Sequence, residues 1–254
     1  MPPRPEVVRP PGDGLWRVAR GPDPLTVTHP SGGNRFDPLT VNAGVLYFGT
    51  DLETCFGETL ARLRPSTTML SQVADEWRHR GFMDIGTVAA DWRQRRSAVH
   101  VRLPGWATFL DVESAVTHQY LRSELALGLA ALGVEDLDVA TVRGPDRRVT
   151  RLIADWAYLA DDDGEPLYAG IRYESRVRSG WECWAVFEDE NLEFEVLEAL
   201  PVTPDIMPPF RASPSRSVFA SSDSKRTSTP SCRKGSLSRP RRATRGLCTR
   251  RLPL

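Results

Sequence analysis

No apolar stretch in this 254-residue chain approaches the roughly 18 residues of a membrane span. The start, MPPRPEVVRPPGDG, has no signal-peptide apolar region, so a soluble, cytoplasmic protein is expected. Only four cysteines occur, Cys55, Cys183, Cys232 and Cys248, with no CxxC pair or other metal spacing. That scatter implies no disulfide framework and suits a reducing compartment. The four histidines, His29, His79, His100 and His118, sit in unrelated contexts and form no metal motif. His29 falls in a loop near the candidate site and reads as a surface residue. No Gly-rich phosphate loop of the Rossmann or P-loop type occurs, and there are no internal repeats.

Lysine is nearly missing: the two lysines, Lys225 and Lys234, both lie near the C-terminus, and every earlier side-chain cation is arginine or histidine. The formal net charge of zero conceals a segregation. From Arg211 onward, 12 Lys and Arg stand against one acid, Asp223, which leaves 21 basic and 32 acidic residues to Met1–Phe210. An acidic body argues against non-specific nucleic-acid binding by the body itself and permits a basic protein partner. The Ser-, Arg- and Pro-rich stretch over 208–254 is expected to be a disordered tail, of different origin from the body, such as a frameshifted or run-on end. A basic arm for nucleic acid or an acidic partner is the other reading.

The remainder is long enough and apolar enough to bury one core. Residues 1–14 are Pro-rich and read as a flexible lead-in, with the main domain over 15–207. Leu15-Trp16-Arg17-Val18 reads as a first strand, and Gly21 to Asn34 as a loop. A helix is plausible over Leu70 to His79. Val99, Val101 and Leu103 alternate as in a half-buried strand. Trp106 to Val112 reads as a strand and Glu113 to Leu132 as one helix. Val149, Leu152, Ile153 and Trp156 recur at helical spacing. Tyr168 to Ser175, Glu182 to Phe187 and Phe194 to Leu200 supply three late strands. Strands and helices mix without βαβ alternation, which favours α+β over a doubly wound sheet.

The densest chemistry lies in Asn34 to Arg64. Val45-Leu46-Tyr47-Phe48 is a β-favouring run between Gly44 and Gly49. Asp51 follows as a helix N-cap, with Leu52, Phe56, Leu60 and Leu63 as the buried stripe. Glu58 falls off that stripe, on the face shared with Cys55 and Arg62. By residue type alone each polar group has an ordinary explanation. Arg35 can cap a loop, Tyr47 can be a strand aromatic, Glu58 can pair with Arg62, and Ser175 can be a strand-end hydroxyl. Arg17 is equally ambiguous.

The ordered set Leu15-Trp16-Arg17-Val18, Asn34-Arg35-Phe36, Gly44-Val45-Leu46-Tyr47-Phe48 and Glu53-Thr54-Cys55-Phe56-Gly57-Glu58 resembles the RES-domain family. These are the toxins of RES–Xre toxin–antitoxin pairs, named for an Arg, a Glu and a Ser. Ala154-Asp155-Trp156-Ala157, Gly170-Ile171-Arg172-Tyr173-Glu174-Ser175-Arg176 and Trp181 to Phe187 look like the family's second half, so the resemblance runs from about Leu15 to about Leu200. It implies an ADP-ribosyltransferase-like α+β fold, a mixed sheet with flanking helices, that degrades NAD by hydrolysis or phosphorolysis.

On that resemblance Glu58 would stabilise an oxocarbenium-like ribose, and Arg17 and Arg35 would hold the pyrophosphate. Tyr47 would stack on nicotinamide or shape its pocket, and Ser175 would donate to the nicotinamide amide or a ribose oxygen. All five should line one pocket. NAD would be a substrate and not a redox cofactor, with inorganic phosphate as a second substrate in the phosphorolytic case and no metal. The resemblance also implies an Xre-type antitoxin bearing a helix-turn-helix, and leaves a homo-oligomer open. The competing activities are ADP-ribosyl transfer to a protein and, without catalysis, nucleic-acid binding through the basic tail.

Overall fold

The computed structural model describes residues 4–27, 33–64, 66–68, 70–72, 88 and 90–207. Its strands are β1 (Val7–Val8), β2 (Leu15–Arg20), β3 (Val45–Gly49), β4 (Arg96–Arg102), β5 (Phe109–Asp111), β6 (Asp161–Asp162), β7 (Glu165–Pro166), β8 (Gly170–Glu174), β9 (Glu182–Phe187) and β10 (Glu195–Pro201). Its helices are α1 (Leu52–Ala61), α2 (Ala90–Gln94), α3 (Ala115–Glu124), α4 (Ala126–Ala131), α5 (Val139–Val142) and α6 (Arg147–Leu159). Eight strands form one sheet in the order β1-β5-β8-β9-β3-β2-β4-β10, and β6 pairs with β7 in a separate hairpin. Only β5 and β8 run parallel in the large sheet; its other described pairs are antiparallel. This is the mixed α+β sheet with flanking helices expected from the sequence.

The register assigns each side chain to a face, because successive residues of a strand point to opposite sides. One face carries Leu15, Leu46, Phe48, Val99, Val101, Phe109, Trp184 and Val186, a core closed by loop residues such as Leu192, Leu25 and Val27. The opposite face carries Val45, Leu110, Ile171, Tyr173, Cys183 and Ala185, packed against Leu121, Leu129, Val142, Val149 and Ile153 from α3 to α6. On that same face, Val18 of β2 meets Phe56 and Leu60 of α1. Among the described residues, then, α1 and the α3–α6 group share one face, with α1 against β2 and β3 and α6 against β8. The strands between them floor the gap in which the site lies.

Local chemistry fixes the helix ends. Asp51 is extended and accepts the Thr54 N–H at 2.7 Å, starting α1 as its sequence predicts. Asp146 does the same for α6, accepting from Arg148 N. The expected helix over 113–132 breaks at Leu125, whose φ of −101° and ψ of 13° leave the helical region while its side chain turns into the core. Leu63 lies beyond the end of α1 and is exposed, so the buried stripe is shorter than expected. Trp106 is 56% exposed and strand β5 starts only at Phe109.

The Pro-rich start differs most from its reading as a lead-in: Val7 and Val8 pair with Leu110 and Phe109, and Glu6 N donates to Thr117 Oγ1 at 3.0 Å. A two-residue edge strand carries no periodicity to read. The tail over 208–254, His29, His79 and most of the helix expected over Leu70 to His79 lie outside the described residues. No helix among the described residues is long and apolar enough to cross a membrane.

Candidate active site

Glu58 projects from α1 and accepts a hydrogen bond from Ser175 Oγ, which in turn accepts from Val177 N at 2.9 Å. Ser175 is 2% exposed and lies just past the end of β8, 117 residues from Glu58. Two features bring these elements together. Ser175 N donates to Trp181 O at 2.8 Å, tying the serine to the start of β9. The Trp181 ring then lies against Gly57, where an added Cβ would come within 1.9 Å of the Trp181 Cζ3. Only glycine permits that approach, so α1 is held against the β8–β9 turn one residue before Glu58.

Arg35 enters from the other side of the gap. Its Nη1 donates to Val142 O at 2.5 Å and its Nη2 to Gly144 O at 3.2 Å, at the end of α5. These carbonyls accept from a cation without neutralising it. Burial lowers the Arg35 pKa and repulsion from Arg176 adds to that, while Tyr173 and Glu58 oppose the shift. Arg147 also repels Arg35. The charges that bear on Arg35 are thus the cations Arg176 and Arg147 and the carboxylate Glu58, an arrangement suited to an anionic ligand. The buried Tyr173 and Cys183 floor the gap, and both acids are pushed upward, first by burial.

Tyr47 turns its hydroxyl to the Arg35 loop, donating to Asp37 Oδ1 at 2.7 Å and accepting from Phe36 N at 3.0 Å. Burial, and then Asp37, hold its phenol well above the ordinary range. Arg17 lies on the other face of the sheet and meets Tyr47 at its backbone carbonyl. It pairs in register with Val99 and shares the face of Leu15, opposite Tyr47. Its Nε donates to Pro24 O at 2.6 Å, its Nη1 to Tyr47 O at 3.0 Å, and burial lowers its pKa to about 10. The expected single pocket thus brings together Arg35, Glu58 and Ser175, with Tyr47 beside them, while Arg17 braces the loop before the site. Sequence reading missed Asp37, Gly57 and Trp181. Asp37-Pro38 carries the usual mark of a turn, but neither Gly57 nor Trp181 has a local signal.

Tyr47, Tyr173 and Cys55, whose thiol burial raises to about 12, all stay protonated in the fold. The unfolded chain ionises such groups from about pH 8.5 to 10. It then binds fewer protons than the native state, so stability should fall as pH rises above about 9. Urea midpoints at pH 8 and pH 10.5 would test this; a midpoint that does not drop would contradict it. Among the described residues, no group of His, Cys, Asp and Glu is placed to hold a metal ion.

A buried serine hydroxyl bonded to a half-buried carboxylate, beside an arginine on a mixed α+β sheet, defines the class of site. The RES domain family model matches residues 14–205. This chain belongs to the RES-domain family. No curated protein matches it significantly. Among solved structures it is similar to the M. tuberculosis MbcT–MbcA toxin–antitoxin complex, at 12% identity over 76% of this chain and 85% of that one. The TM-score is 0.46, and at that level the likeness does not bear on function.

Proposed function

We propose that this protein is the toxin of a toxin–antitoxin pair and depletes NAD by cleaving its nicotinamide–ribose bond. The observation that carries the reading is the Ser175–Glu58 hydrogen bond set opposite Arg35 in a RES domain. Departure of nicotinamide leaves positive charge on the ribose, as in glycoside cleavage. Glu58 stabilises that charge while the Ser175 hydroxyl holds the carboxylate in place. Arg35, with Arg147 and Arg176 beside it, takes the diphosphate. Water or inorganic phosphate then accepts the ribose carbon, on an ADP-ribosyltransferase-like scaffold that binds NAD as substrate. The partner is an Xre-type antitoxin with a helix-turn-helix, whose basic contacts suit the acidic body.

Expression of the chain in a bacterium should lower the NAD pool before growth stops, and co-expression of a neighbouring antitoxin should restore both. Growth arrest with a level NAD pool would contradict the proposal. Labelled NAD distinguishes the acceptors: label recovered in free ADP-ribose or its phosphate supports a small acceptor, and label in protein favours ADP-ribosyl transfer.

A further inference from the structure

The Asp37 carboxylate is fully buried, and its partners differ from those of Glu58, the carboxylate bonded to Ser175. Burying a carboxylate carries a large desolvation cost unless donors replace water. Here Oδ2 accepts from Gly33 N at 3.0 Å and Asn34 N at 2.8 Å, and Oδ1 accepts from the Tyr47 hydroxyl at 2.7 Å. Tyr47 Oη in turn accepts from Phe36 N at 3.0 Å. The bonds therefore close on the chain at residues 33, 34, 36 and 37, on both sides of Arg35. From α6, Thr150 Oγ1 donates to Arg35 O at 2.5 Å, and Arg151 Nε donates to Asp37 O at 2.9 Å. Every one of these bonds fixes the backbone that carries Arg35, and none is made to the Arg35 guanidinium itself. Tyr47 also belongs to β3, the strand that leads through Asp51 into α1 and Glu58. The same hydroxyl thus links the loop of the arginine to the element of the carboxylate.

We infer that Asp37 is a positioning residue: through the Tyr47 hydroxyl and the N–H groups of Gly33 and Asn34 it sets Arg35 against the Glu58–Ser175 pair. Tyr47 acts here by its hydroxyl, not by stacking its ring on nicotinamide. The inference deepens the NAD reading above and, in its kinetic part, rests on it. If Arg35 binds the diphosphate equally in ground and transition states, loosening its loop raises KM and leaves kcat nearly unchanged.

The test uses the full chain with NAD as the probe. Tyr47→Phe keeps the ring and removes the hydroxyl. It should raise KM for NAD about tenfold with kcat within about threefold. Amide hydrogen exchange at Gly33 and Asn34 should speed up while the β3 amides stay protected. Asp37→Asn leaves one oxygen for the two places that Oδ1 and Oδ2 serve and should behave alike, and the double variant should be no worse than the more impaired single, because both loosen one network. Wild-type KM and wild-type exchange in Tyr47→Phe would overturn the inference, as would two losses that multiply. Should Asp37→Asn not fold, Tyr47→Phe decides alone. A wild type that leaves NAD intact would sink the NAD reading instead, and the exchange at Gly33 and Asn34 would still decide the positioning role.

Discussion

Glu58→Gln should release nicotinamide about 10²–10³-fold more slowly than the wild type, the usual cost of removing one preorganised electrostatic stabiliser. Glutamine matches glutamate in shape, and its amide oxygen can still accept from Ser175 Oγ. On the proposed reading, what is lost is the negative charge opposite the developing ribose cation. The effect should therefore fall in kcat, with KM for NAD nearly unchanged. Thermal melting within a few degrees of wild type would show that the fold survives. Glu58 is half-buried and bonded to a serine, and Arg35, whose charge it favours, keeps its bonds to Val142 O and Gly144 O in the variant. A variant that keeps wild-type kcat would remove Glu58 from the chemistry.

Phe36→Ala should be the most damaging of the simple truncations. Phe36 is fully buried beside Arg35 and packs on Tyr173, with ring centroids 4.7 Å apart and planes tilted by 48°. It belongs to the core that joins β8 and β9 to α3–α6. Loss of such a ring costs about 3–5 kcal/mol through lost transfer energy and the cavity left behind. Native stability is itself only about 5–15 kcal/mol, so the urea midpoint should drop sharply. Activity should fall with it, because the Phe36 N–H is bonded to Tyr47 Oη next to Arg35. An unchanged urea midpoint would mean that the Phe36 ring does not support this core.

Strands and helices with strong local signals are legible in the sequence. Val45–Phe48 lies between Gly44 and Gly49, Asp51 caps α1, and Val149 and Ile153 fall on the buried side of α6. The RES family was legible as well, because ordered short motifs spread over the body carry it. Facing was harder. Leu15, Arg17 and Ala19 share a face, but β2 is covered on both sides, so alternation alone cannot say which side holds the site. Only the pairing of β2 with β4 and β3 places Arg17 away from Glu58. Asp37 draws no reading from the sequence because its partner Tyr47 is found ten positions on. Gly57 and Trp181 meet only after β8 and β9 have paired. Long-range packing decided each of these, and none leaves a local pattern.

The most direct measurement is a proton NMR time course of NAD with the purified full-length chain, run with and without inorganic phosphate. Nicotinamide resonances should appear as those of NAD decline, in equal amount to ADP-ribose or its phosphate. The Glu58→Gln protein should leave the spectrum nearly unchanged over the same time. An NAD spectrum that stays intact with wild-type protein, in both buffers, would contradict the assignment of this site to NAD cleavage.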